Sequence, residues 1–153
     1  MEFKYGKISE KRCKEIDEMD IRCPYPYDGG QTKFTAEGEY FVYNEDESIL
    51  FCTGFMPIPA EVYYCNDVYI LFINNKYIYI YIYMIRCGEH REEKGISYYH
   101  YYHEIRFYDD IEKMNNKGEI LHLLKQMIPI EYKAFKDDVV YEVDLFYNGE
   151  EVK

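Results

Sequence analysis

Seven consecutive residues, Tyr77-Ile78-Tyr79-Ile80-Tyr81-Ile82-Tyr83, alternate aromatic and aliphatic side chains without a break. A helix would scatter this pattern around its circumference. A strand puts every isoleucine on one face and every tyrosine on the other. The run therefore predicts a β-strand, and its neighbours extend it into a meander from Val68 to Tyr108.

Asn74-Asn75 separates the Tyr/Ile run from an apolar stretch that starts at Val68. Asparagine tolerates positive φ, so this pair predicts a two-residue hairpin turn. That register sets Phe72 opposite Tyr77, Ile70 opposite Tyr79 and Val68 opposite Tyr81. On the other face, Leu71 meets Ile78 and Tyr69 meets Ile80. The charged segment from Gly88 to Gly95 predicts an exposed loop. A third strand comes next, with Tyr99, Tyr101, His103, Ile105 and Phe107 on one side. Tyr98, His100, Tyr102, Glu104 and Arg106 lie on the other. Placing Glu104 and Arg106 in the core would be costly, so Ile105 and Phe107 join the isoleucine face.

The flanking elements read as cover or extension of this sheet. Phe3 to Tyr5 predicts a short strand. Ser9 predicts the N-cap of a surface helix over Glu10 to Asp20, with Cys13, Ile16 and Met19 on one side. Pro24 and Pro26 are expected to end it, and Asp28-Gly29-Gly30 to form a turn. Glu39 to Asn44 and Ile49 to Gly54 predict a hairpin closed by the acidic turn Glu45-Asp46-Glu47-Ser48. Met56 to Ala60, with Pro57 and Pro59, reads as an extended connector, and Glu61 to Cys65 as the start of a strand before Asn66-Asp67. Asp109 or Asp110 predicts an N-cap. The helix after it runs from Ile111, weakens at Asn115 to Gly118, continues to Met127 and is stopped by Pro129. Its apolar stripe is Ile120, Leu123, Leu124, Met127 and Ile128. Asp138 to Tyr147 alternates and predicts a final half-exposed strand, with Asn148-Gly149 behind it. The fold class is α+β in a single domain spanning residues 1–153. Its antiparallel sheet has about five or six strands, with one main helix on one face and a weaker N-terminal helix.

Charge narrows the possible partners. With 29 acidic against 18 basic residues, the chain carries a net charge of −11. It is not expected to bind nucleic acid or an anionic membrane through attraction to phosphate, and it is expected to associate with basic surfaces. No apolar run follows the opening Met1-Glu2-Phe3-Lys4, so no signal peptide is expected. Cys13, Cys23, Cys52, Cys65 and Cys87 are odd in number and never spaced as CxxC, which predicts reduced thiols and a cytoplasmic location. The longest apolar run falls far short of the roughly 20 residues a membrane helix needs.

Motifs for chemistry are sparse. The chain lacks GxGxxG, GxxxxGK[ST] and GxSxG. His100, His103 and Glu104 would share a helical face, but on a strand His103 points away from the other two. His100 and Glu104 remain together and suit a base with its orienting group, or a simple hydrogen-bonded surface pair. Cys87 stands beside Arg86 and near His90, a setting that can activate a thiol. No cofactor and no metal are expected, and no catalytic residue is assigned.

Aromatic residues make up 19% of the chain, with 20 tyrosines and no tryptophan. Tyrosine joins a large apolar body to a polar tip, which suits a face covered by another molecule. The candidate partner-binding residues are Tyr79, Tyr81, Tyr83, His100, Tyr102, Glu104 and Arg106, together with the acidic turn residues Glu45, Asp46 and Glu47. The competing expectation is that a helix of the same chain covers the tyrosines. The function expected from these features is a non-enzymatic acidic binding module. It would be an inhibitor or immunity-type protein that neutralises a toxin, such as a nuclease, by occluding a basic site. The alternatives are an acidic nucleic-acid mimic and a small enzyme using His100, Glu104 and tyrosine hydroxyls. Pairing of two copies through a strand edge or the tyrosine face is a further possibility.

Overall fold

The Tyr/Ile run forms the first half of the longest strand in a computed structural model that describes residues 1–24, 32–55, 67–109, 111–133 and 138–153. Among the described residues there are eight strands and two α-helices. The strands are β1 (Lys4–Gly6), β2 (Phe41–Tyr43), β3 (Ile49–Phe55), β4 (Val68–Ile73), β5 (Lys76–Glu93), β6 (Ile96–Phe107), β7 (Val139–Tyr147) and β8 (Glu150–Glu151). They are hydrogen-bonded in chain order, β1 through β8. The helices are α1 (Glu10–Glu18) and α2 (Lys117–Lys133). The architecture is α+β with a mostly antiparallel sheet, and its strands outnumber the five or six expected. The additional strands include β8, a two-residue ribbon too short to be read from alternation. The expected turn at Asp28-Gly29-Gly30, Pro26, the connector Met56–Ala60, the strand start Glu61–Cys65, Asn66 and the alternative cap Asp110 lie outside the described residues. None of the helices is long and apolar enough to cross a membrane, among the described residues.

The chain divides into two compact units, Met1–Tyr79 and Ile80–Lys153. In the first, β1 to β4 pair antiparallel, and a bulge between Thr53 and Phe55 interrupts the β3–β4 register. The expected turn after β4 is present, with Asn74 at φ 56°. The core holds Phe34, Phe41, Leu50, Phe51, Ile70 and Phe72. Phe34 stacks edge-on against Phe41 and Phe55, with centroids 6.4 and 6.2 Å apart. Ser9 caps α1 as expected, accepting from the backbone N–H of Arg12. The helix ends at Glu18, before Pro24. Asp20 adopts φ 52°, a left-handed residue that reverses the chain after the last turn, so the prolines are not its stop.

In the second unit, Ile80 pairs with Phe107 and Ile82 with Ile105, which puts the isoleucine face where strand parity places it. The Gly88–Gly95 segment is not a loop. It continues β5 to Glu93, and only Lys94-Gly95 turns, at φ 51° and 82°. Its charged side chains are exposed while its backbone pairs with β6, so polarity marks exposure and not the absence of a strand. The final strand also departs from expectation, because β7 pairs with β6 in parallel. A helical crossover is the connection that parallel neighbours require, and α2 supplies it, packing against β7. The helix begins at Lys117, after a 3₁₀ turn at Ile111–Lys113, and it runs through Pro129. Met127 and Ile128 are fully buried on one side of the proline and Glu131 is buried on the other, so packing holds the helix across it.

Candidate protein-binding face

Two β-bulges decide which side chains of β5 share a face with β6. One lies between Met84 and Arg86 and the other between Cys87 and His90. Each inserts one extra residue and reverses the facing of the residues beyond it. Tyr83 opposes Glu104, Arg86 opposes Tyr102, and Arg91 opposes Tyr98. In the parallel ladder, Glu142, Asp144 and Phe146 align with His100, Tyr102 and Glu104. One face of this unit therefore gathers Tyr83, Arg86, Tyr98, His100, Tyr102, Glu104, Arg106 and Asp144.

The opposite face belongs to α2. Tyr132 from the helix stands 6.3 Å from Tyr101, 5.7 Å from His103 and 5.6 Å from Tyr141, centroid to centroid. Its hydroxyl lies 3.1 Å from His103 Nε2. Burial pushes the His103 imidazole below its ordinary value, and the Tyr83 backbone offsets part of this. His103 Nδ1 meets no hydrogen-bond partner at the usual geometry among the described residues.

The tyrosine-bearing face is organised by stacked cations. The Arg86 guanidinium lies 4.0 Å above the Tyr102 ring, that of Arg106 4.8 Å above Tyr83, and that of Arg91 4.4 Å above Tyr98. His100 stacks on Tyr102 with centroids 4.6 Å apart. Its Nε2 is 2.8 Å from Asp144 Oδ2, so the carboxylate that orients His100 comes from β7. Glu104 pairs instead with Arg106 at 3.3 Å. The expected His100–Glu104 pair is thus replaced, because a parallel partner strand brings a closer acid. Gly88 makes the close approach possible. A Cβ there would sit 2.9 Å from Tyr102 Cε2 and 3.1 Å from His100 Cβ.

The remaining candidates are placed elsewhere. Tyr79 belongs to the first unit, where its hydroxyl donates to the Arg22 carbonyl. Tyr81 is buried at 9% exposure and offers little to a partner. Glu45, Asp46 and Glu47 form the β2–β3 turn of the first unit. Asp46 accepts from the Ser48 hydroxyl and N–H, which hold its carboxyl below the ordinary range. Glu47, at φ 59°, accepts from Ser9 N–H at 2.6 Å and is tied to the start of α1. Of the three, Glu45 and Asp46 remain exposed.

Sequence reasoning does not single out Arg86 or Asp144. Arg86 reaches this face only because of the bulge after Met84, and Asp144 only because β7 runs parallel. Arg86 and Cys87 point to opposite faces, so the arginine does not flank the thiol. A cleft of about 470 Å³ adjoins the face and is lined by Arg106, Tyr108, Asp109, Tyr147 and Asn148 among others. Among the described residues, no three His, Cys, Asp or Glu side chains converge to share a metal ion. Compared with protein-family models, curated protein sequences and solved structures, the chain shows no significant match.

Proposed function

We propose that this chain is a non-enzymatic protein-binding module, an inhibitor or immunity-type protein that occludes a basic site on a toxin or other enzyme. The observation that carries the reading is the half-buried ladder of Tyr83, Tyr98, Tyr102 and His100, held by stacked arginines on the face that α2 does not cover. Tyrosine and arginine dominate binding energy at protein interfaces, and rings already fixed by stacking lose little further freedom on binding. The face itself mixes charges, with Arg86, Arg91 and Arg106 beside Glu104, Glu142 and Asp144. The net charge of −11 acts at longer range, drawing in a basic partner.

His100–Asp144 has the geometry of a base with its orienting acid, which keeps the small-enzyme reading as the second one. The two readings separate in one experiment. Immobilised chain is exposed to lysate of the source organism at low and high salt, and the captured protein is purified and titrated directly. Occlusion predicts a stoichiometric basic partner whose activity is lost on binding. Its affinity should fall by about 2 kcal/mol in Tyr102→Ala, by the scale of aromatic interface anchors, and with added salt. A partner bound equally well by Tyr102→Ala, or indifferent to salt, overturns this face or this steering.

A further inference from the structure

The bulge that turns Arg86 outward and the one after Cys87 do something else on the opposite face. In a regular strand, residues three apart point to opposite sides. Here Met84 opposes His103, Cys87 opposes Tyr101 and His90 opposes Tyr99, and all three of those partners belong to one face of β6. Met84, Cys87 and His90 therefore line up on one side of β5, each two rungs from the next, in the spacing Met-x-x-Cys-x-x-His.

Two of the side chains already meet. Cys87 Sγ lies 3.5 Å from Met84 Sδ. The His90 ring is fixed flat on Tyr99, with centroids 4.3 Å apart and planes 5° from parallel. All three residues are exposed, Met84 at 54%. With metal–sulfur bonds of about 2.3 Å, two sulfurs sharing an ion stand roughly 3.8 to 4.6 Å apart, so a small opening of two exposed side chains admits one. We infer that Met84, Cys87 and His90 form a binding site for a soft monovalent metal ion, of the class of Cu(I).

The donor set chooses the metal. A thioether is a poor ligand for zinc, magnesium or calcium and a good one for Cu(I), and thiolate with imidazole completes a three-coordinate set. The Cys87 thiol gives its proton to solvent as the sulfur–metal bond forms, and no electron is transferred. The other described cysteines compete poorly. Cys23 and Cys52 are buried. Burial, then Asp17 and Glu47, push the Cys13 thiol up and keep it protonated.

Two titrations of the full reduced chain test this without oxygen. In the first, Ag(I) serves as a redox-inert soft ion while the methionine methyl and histidine ring NMR signals are followed. One equivalent should move the Met84 methyl and His90 ring together. In the second, Cu(I) is titrated against a chromophoric chelator. Cys87→Ser should abolish binding, Met84→Leu and His90→Ala should each weaken it on the order of tenfold, and Cys13→Ser should leave it intact. Binding that survives Cys87→Ser overturns the site. So does unchanged affinity in both Met84→Leu and His90→Ala, which would mean a thiol acting alone. The three residues are exposed, and an unchanged circular dichroism spectrum verifies that each variant is folded.

Discussion

Arg12 donates from Nη2 to the backbone carbonyl of Asn74, sixty-two residues further along the chain, at 2.6 Å. Its Nε donates to the Glu47 carbonyl at 3.0 Å. A single buried guanidinium thus ties α1 to two turns of the first unit. Arg12→Ala leaves two carbonyls without their donor and should cost about 2–4 kcal/mol in urea unfolding, with an unchanged m-value. Arg12→Lys should recover less than half of this, because an ammonium cannot aim at both carbonyls at once.

The His103 imidazole titrates below its ordinary value of 6.5 in the folded chain. Between the two values the unfolded chain binds more protons, so stability is full above about pH 7 and falls as pH drops through and below 6.5. The slope due to this one group cannot exceed about 1.4 kcal/mol per pH unit. Comparing unfolding of the wild type and His103→Leu between pH 7.5 and 5.5 isolates it. An identical pH slope in the two proteins would show that His103 is not buried as a neutral ring.

Gly88→Ala pushes a methyl against Tyr102 and His100. The expected cost is about 1–3 kcal/mol, with a shift of the Tyr102 and His100 ring signals and little change at Tyr132 on the opposite face. If only stability changes and those rings stay still, the bulge yields instead of the ladder.

Pro129 lies inside α2, where it removes one backbone donor. Pro129→Ala restores the bond to the Lys125 carbonyl and should raise stability by about 1–3 kcal/mol, less a few tenths for the freer unfolded chain. Thermal unfolding measures this. A loss of stability would mean that ring packing outweighs the missing bond.

Much of the scaffold is legible in local pattern. The Tyr/Ile alternation, the Asn74 turn, the Ser9 cap and the stripe Ile120/Leu123/Leu124/Met127/Ile128 each depend on neighbours within a few residues, and each appears in the structure. The hidden features depend on pairing. The bulges after Met84 and Cys87 reassign faces without any glycine at positive φ to announce them, so Arg86 and the Met84–Cys87 contact cannot be read from alternation. The parallel β6–β7 ladder moves the partner of His100 from Glu104 to Asp144. Strand parity does find Tyr83, His100, Tyr102, Glu104 and Arg106 on the aromatic face. Tyr81 shares its parity but is buried, and Tyr79 is half-buried with its hydroxyl committed to the Arg22 carbonyl, because strand phase says nothing about the groups that pack on top.

The Tyr/Ile run lies between β4 and β6 in the strand order. A seven-residue stretch of high β-propensity without proline or charge is also the signature of a segment that self-assembles into cross-β fibrils. In the native chain its second half, Ile80 to Tyr83, is paired with β6. Before β6 is made, one side stands open. Nascent or partly unfolded molecules therefore carry an aggregation hazard that the finished sheet does not, and conditions that slow β6 formation should lower soluble yield before they lower the stability of the molecules that fold.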